Sequence, residues 1–386
     1  MKKLFYLGII GLILFEIANV YFIMPMPGSQ RMNSIDAAYF FYTWRWVFRA
    51  VFGILALVGA FSAFRGGKKW APYVAGIGVL AVAGVAYATN FEMAADTMFY
   101  QPSVVTLKNK TDNKVASERL VIGVEANGQA RAYPIQYIGY HHQVCDTLGG
   151  KPIIVTYCTV CRTGRVFEPI VNGQLETFRL VGMDHFNAMF EDKTTGSWWR
   201  QANGEAIAGE LKGKFLPEIP VMQVTLAKWM DLHPTSLVMQ PDAKFQEKYD
   251  SLSNYETGKR KGELTKRETT SWKDKSWVVG VVVNGGTKAY DWNQLQKEKI
   301  INDMIGYLPV TVVLSSDKQS FVAIHRATPG QKLSMKNDSL YDEGGCVYDL
   351  RGKSHRKGIP DLERANAYQE YWHSWKTFHP DTKQYK

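Results

Sequence analysis

Three apolar segments open the chain, Leu4 to Met24, roughly Ala38 to Phe64, and Ala71 to Ala88, each about long enough to cross the hydrocarbon core of a bilayer. A cleavable signal peptide is the alternative for the first, because Lys2 and Lys3 precede it. Glu16 interrupts that run, however, and two further spans would anchor the product regardless. After about Thr89 the pattern shifts to short runs of alternating apolar and polar positions punctuated by turn residues. Alternation up to Asn127-Gly128 and a short run to Tyr133 predict a β-hairpin, whose turn needs the positive φ that Asn-Gly supplies. A helical stretch follows from about Ile135 to Cys145, and Pro152 opens a strand, IIVTY, that delivers the chain to Cys158. VFEPIV, a second turn at Asn172-Gly173, and LETFRLV read as further strands. Thr225 caps a short helix that runs through Trp229 and ends by Pro234.

The pattern repeats. The stretch from Val121 to Tyr157 aligns without a gap to the stretch from Val278 to Leu314, with eleven identities in 37 positions, among them the Asn-Gly and Ala-Tyr pairs and one Pro. Trp229-x-x-x-His233-Pro234 is echoed by Trp375-x-x-x-His379-Pro380. The predicted fold class is therefore α+β: a tandem duplicated, mainly antiparallel β unit with short helices, preceded by three transmembrane helices. The division expected is a membrane anchor at 1–90, a juxtamembrane segment at 91–118, a first repeat at 119–241, a charged linker at 242–275 and a second repeat at 276–386. The linker carries sixteen charged residues in thirty-four, as a solvated connection would.

Charge placement orients this arrangement. Lys2, Lys3, Arg65, Lys68 and Lys69 mark one side of the spans, which the positive-inside rule makes cytoplasmic. The expected localisation is the inner or cytoplasmic membrane, with everything after about Thr89 outside the cytoplasm, periplasmic in a Gram-negative cell. Arg45 and Arg49 then fall near the outer end of the second span, where they can snorkel to headgroups. The net charge of +10 does not signal nucleic acid, because residues 1–90 hold +6 of it and the remaining surface is nearly balanced. The partner implied is the membrane.

The chemistry centres on VTYCTVCRTG, where Cys158 and Cys161 are two residues apart. Strand patterns flank the motif on both sides, unlike the helix-opening Cys-x-x-Cys of thioredoxin-like proteins, and Arg162 and Arg165 are expected to favour thiolates. A single Cys-x-x-Cys supplies half of a four-ligand metal site. His142 and His185 are the candidate further ligands. His142 and Cys145 lie three apart on the predicted helix, and Asp184 stands beside His185. His233 and His379 recur at helix ends and read as caps, while His141, His325, His355 and His373 have no supporting spacing. At the aligned positions of the second repeat, Cys158, Cys161, His142 and Cys145 become Ser315, Lys318, Lys299 and Asn302, so that repeat is expected to lack the site.

VIGVEANGQARAYP, TYCTVCRTG, GSWWRQANGEAIAGEL and the closing Trp-x-x-x-His-Pro together resemble the bacterial domain-of-unknown-function family numbered 3179. The likeness runs from about Arg119 to the end of the chain. That family commonly has Tyr-Cys-Pro-x-Cys-Gly where this chain has Tyr157-Cys158-Thr159-Val160-Cys161-Arg162. The resemblance implies that some relatives place selenocysteine in this motif, a residue used mostly for redox chemistry, and it implies no settled activity. Three readings stay open: a thiol redox protein with Cys158 and Cys161 as the reactive pair, a protein binding zinc, copper or iron through these cysteines with His142 or His185, and a non-catalytic assembly domain with a structural disulfide. No nucleotide loop, Gly-x-Ser-x-Gly elbow or His-Glu-x-x-His helix points to the common hydrolases or kinases.

Overall fold

The computed structural model describes residues 2–65 and 69–386, so Lys68 of the charge argument lies outside the described residues. The chain divides into two compact units: Met1–Tyr100 with Thr177–Arg200 and Glu205–Lys214, and Gln101–Glu176 with Gln201–Gly204 and Phe215–Lys386.

The first unit holds helices α1 (Lys2–Tyr21), α2 (Ile35–Thr43), α3 (Arg45–Arg65) and α4 (Ala71–Tyr87). Three helical segments, Lys3–Tyr21, Arg45–Arg65 and Ala71–Glu92, are long and apolar enough to cross a membrane. The second expected span does not begin at Ala38, because Trp44 ends α2 and α3 starts afresh at Arg45. The break lets α2 turn its side chains onto a sheet: Ala38 is buried, and the Tyr39 ring meets Trp198 edge-on with centroids 5.1 Å apart. Arg49, expected to reach for headgroups, is engaged within the unit. Its guanidinium donates to both Glu16 oxygens at 2.6 and 2.9 Å and to Asn90 Oδ1 at 2.8 Å, giving the buried carboxylate on α1 a charged partner.

The sheet of this unit contains Phe178–Asp184, Asn187–Asp192, Trp198–Arg200 and Ala206–Ala208. Its Val181, Met189, Trp198, Ile207 and Ala208 share a core with Val20, Ile23, Met24 and Ala38. This burial removes 177–200 and 205–214 from the expected 119–241 repeat and groups them with the N-terminal segment.

In the second unit one order of elements occurs twice. The first set is β1 (Leu120–Ala126), β2 (Gln129–Pro134), α5 (Ile135–His141), β3 (Gln143–Leu148), β4 (Lys151–Cys158), β5 (Thr163–Phe167), β6 (Val221–Thr225), α6 (Leu226–Leu232) and β7 (Leu237–Met239). The second is β8 (Trp277–Val283), β9 (Gly286–Asp291), α7 (Trp292–Glu298), β10 (Ile300–Ile305), β11 (Leu308–Leu314), β12 (Phe321–His325), β13 (Arg364–Tyr371), α8 (Trp372–Phe378) and β14 (Lys383–Gln384). Pairing also corresponds: β1 lies antiparallel to β2 and β6 with β7 parallel to β2, as β8 lies antiparallel to β9 and β13 with β14 parallel to β9. The hairpin turns Asn127-Gly128 and Asn284-Gly285 both have positive φ. The second set forms one seven-stranded sheet, while the first splits into two. Pro220 lies between the short strand Glu218–Ile219, which pairs with β5, and β6, which pairs with β1, and its missing N–H interrupts the ladder there.

The recurring Trp-x-x-x-His has a packing cause. Trp229 and His233 rings stack with centroids 4.1 Å apart, as do Trp375 and His379 at 3.9 Å, and each indole lies against a strand glycine, Gly123 or Gly280. The two sets also exchange contacts at their turns. In one direction Thr225, capping α6, donates its N–H to Ser320 Oγ at 2.8 Å and its hydroxyl to Asp317 at 2.9 Å, both on the β11–β12 turn. In the other, the N–H of Tyr371, which precedes α8, donates to the Cys161 carbonyl on the β4–β5 turn at 2.9 Å.

The 242–275 segment is not a solvated linker. It forms a helix at Gln246–Ser251 and buries Phe245, Tyr249, Leu252, Tyr255 and Glu256 in the unit. Aromatic residues spaced among its charges drive this docking, while Lys244, Glu247, Lys248 and Asp250 between them remain exposed.

Candidate functional site

Cys158 is the last residue of β4 and faces Thr163, the first of β5, across the turn Thr159–Val160–Cys161–Arg162. Arg162 turns the chain in the left-handed region at φ 60°. Both cysteines are wholly buried, and none of the four cysteines is in a disulfide. Burial pushes the Cys161 thiol well above its usual range, and the hydrogen-bonded, charge-coupled Cys158 thiol pushes it further. The Ser374 hydroxyl, also hydrogen-bonded to Cys161, works the other way, while the Glu370 carboxylate adds to the rise. Cys161 is therefore a neutral thiol at neutral pH.

This overturns the expectation that Arg162 and Arg165 hold the pair as thiolates. Arg162 donates to Gln369 Oε1 at 2.8 Å and to the carbonyls of Tyr255 and Glu256 at 3.3 and 2.8 Å, lying 3.7 Å over the Trp277 ring. Arg165 donates to Glu370 at 2.7 Å and to the Ala202 carbonyl at 2.9 Å. Both guanidiniums are spent on closing the fold.

Three carbonyls of the turn are tied by residues from outside the first set. Tyr255 Oη donates to Thr159 O, Lys275 Nζ to Val160 O and Tyr371 N to Cys161 O, each at 2.9 Å. Lys275 also donates to the Leu264 carbonyl at 2.6 Å and lies 3.2 Å from His373 Nε2. Glu370 accepts from Thr163 and Ser374 hydroxyls at 2.8 Å each. The second set thus supplies Glu370, Tyr371, His373 and Ser374 to the cysteine turn, and the docked segment supplies Tyr255 and Lys275. The second set, expected to lack the cysteine site and to serve as structure, therefore also contributes side chains and a backbone donor around the cysteine turn.

The predicted ligands fare differently. The helix ends at His141, so His142 and Cys145 do not share a helical face: His142 is the left-handed cap at φ 59°, and Cys145 is exposed on β3. The alternation of Gln143-Val144-Cys145 carries this stretch into a strand, with Val144 inward. His142 Nδ1 lies 2.8 Å from the Tyr157 carbonyl, and the His142 carbonyl accepts from Tyr157 N–H at 3.0 Å, so this residue brackets the end of β4. Burial lowers its pKa to about 4, leaving a neutral ring. His185 belongs to the other compact unit, where its ring nitrogens meet Asp184 Oδ1 at 2.6 Å and Asn33 Oδ1 at 3.1 Å. Among the described residues, no three or more His, Cys, Asp or Glu side chains are grouped to hold a metal.

Lys275, Glu370, His373 and Ser374 escaped the sequence reading. A signal was present in YQEYWHSW, where Glu370 interrupts an aromatic strand end and so requires a buried partner. That the partner would be Arg165, beside the cysteines, needed the fold.

No curated protein and no solved structure matches the chain. The family profile described as protein of unknown function (DUF3179) matches residues 99–382, which take in the cysteine turn and both sets of strands, and the chain belongs to that family.

Proposed function

We propose that the second unit is a thiol–disulfide redox domain whose working pair is Cys158 and Cys161. The observation that carries this reading is the hydrogen-bonded contact of the two thiols, wholly buried in a turn held by three tied carbonyls. Such a pair loses little conformational freedom when it closes to a disulfide. In the exchange, one cysteine thiolate attacks a partner disulfide and expels one partner thiolate. The second cysteine then attacks the mixed disulfide and expels the other. Two electrons pass to the partner, and the two protons of the dithiol end on its two thiols. Burial keeps Cys161 a thiol at rest, so exchange requires a thiolate to form at the pair first.

The remaining features fit a membrane-held protein built on a duplicated unit. The three long apolar helices serve as spans, with the N-terminus cytoplasmic and the redox domain outside, where disulfide chemistry is sustained. The matching element order and ungapped sequence echo support descent of the two sets from one ancestral unit, of which the first kept the cysteines.

The test is a redox titration of the purified full-length protein with Cys145 and Cys346 replaced by Ser, counting free thiols. Two thiols should vanish together in one two-electron transition, and Cys158→Ser or Cys161→Ser should abolish it while leaving a cooperative thermal melt. A metal ion bound at one per chain and lost in either variant would favour the metal reading. Variants that unfold, with a wild type never reducible under native conditions, would favour the structural disulfide.

A further inference from the structure

Lys275 lies in a stretch, KDKSW, that reads as a solvated end of a charged linker, yet its ammonium is carried into the protein beside the cysteines. Burying an ammonium is costly unless its hydrogens and its charge are both answered. The ammonium donates to the neutral carbonyls of Val160 at 2.9 Å and Leu264 at 2.6 Å, and His373 Nε2 lies 3.2 Å from both Nζ and the Val160 carbonyl. The Tyr371 ring adds its face, 4.6 Å from Nζ. Val160 sits between the two cysteines, so the positive charge is fixed to the backbone of the motif itself.

We propose that Lys275 is the positioning residue that stabilises the thiolate of the Cys158–Cys161 pair during disulfide exchange, an inference that rests on the redox reading of the site.

The charges around it support this role. Burial lowers the Lys275 pKa, and the groups that most favour its charged form are Cys161 and then Cys158, ahead of Asp274 and Glu268 on its own segment. Coupling of two charges is mutual, so a protonated Lys275 favours a thiolate at either cysteine by as much as the thiolate favours the ammonium. The other charged or titratable groups facing the site have separate duties. Glu370 on β13 opposes thiolate formation at Cys161 but is engaged by Arg165. Arg162 serves Gln369 and the docked segment. His373 on α8 is held neutral by burial and by Lys275, its pKa lowered to about 3, and its Nε2 also lies 3.2 Å from the Val160 carbonyl, so it adds a polar neighbour to the ammonium rather than a second charge. Attack on the partner disulfide begins from a thiolate, and its formation inside the fold is the step that Lys275 eases. Once the attack succeeds, the negative charge leaves on the partner sulfur.

The experiment uses the full-length protein in detergent with Cys145 and Cys346 replaced by Ser and the pair reduced. The rate of reaction with the small disulfide 4,4′-dithiodipyridine is followed against pH in wild type, Lys275→Met and Lys275→Gln. Glutamine keeps a donor for the Val160 carbonyl without the charge, and it carries the test if the methionine variant fails to fold. Both variants should react about tenfold more slowly near neutral pH, with the midpoint of the pH profile raised by about one unit. A glutamine variant that melts like wild type and keeps the wild-type rate would overturn the proposal, and so would a fall in rate with no movement of the midpoint. A wild-type pair inert to the reagent at every pH would sink the redox reading itself, and this inference with it.

Discussion

A buried histidine beside the cysteine strand makes the domain sensitive to acid at the scale of one residue. An unfolded histidine titrates near 6.5, whereas His142 in the fold is lowered to about 4 by burial, so the folded chain holds this ring neutral. Above pH 6.5 neither state is protonated and the stability is whole. As pH falls below 6.5 the unfolded chain gains a proton that the folded chain refuses, and stability is lost by roughly 1.4 kcal/mol per pH unit until the folded value is reached. Asn tolerates the left-handed backbone at this position and cannot take up the proton. The urea midpoint of His142→Asn should therefore fall less steeply between pH 6.5 and 5 than that of the wild type, by that slope. The comparison cancels the opposite contributions of Glu218 and Glu256, whose carboxyls burial raises in both proteins. Identical slopes would mean that His142 is charged in the fold. At this scale the sequence disclosed which cysteines are neighbours, because two residues of separation on a strand-end turn bring thiols together. It did not disclose the protonation of Cys161, because Arg162 and Arg165 are close by in the chain yet spend their charge on partners more than ninety residues away.

At the scale of elements, periodicity and turn chemistry were informative wherever the signal was local. Both Asn-Gly hairpins, the strand ending at Cys158 and the helix capped by Thr225 form as read. The misread elements depend on distant partners. The 242–275 segment counted as linker because its charges outnumber its aromatics, while docking is decided by where Tyr249 and Tyr255 are buried. Residues 135–145 read as one helix, but His142 bends left-handed to feed β3. If the long apolar helices α1, α3 and α4 span a membrane as proposed, their orientation can be measured. With Cys145 and Cys346 replaced by Ser, a cysteine at the exposed Lys261 should react with a membrane-impermeant maleimide on intact cells, since the native pair is buried. Labelling only after permeabilisation would reverse the orientation.

For the whole molecule, the sequence division into anchor, two repeats and a linker cuts across the two compact units of the fold. An excursion of the first set, 177–214, leaves most of its residues with the N-terminal unit because Val181, Met189 and Trp198 find their apolar partners there. What holds the two sets of strands is a crossed exchange, in which each offers a turn to the other near the start of its last helix. In this respect they stand as the subunits of an internal dimer stand to each other, and an unbroken backbone through the docked segment between them is dispensable once folding is complete. A protease nick at the exposed Lys259 and Lys261 should therefore leave two fragments that travel together in gel filtration and part only in denaturant. Separation under native conditions would show that the covalent connection, rather than the exchange, holds the halves. In the nicked protein the thiols of one fragment would meet the ammonium of the other, and the site would function in trans.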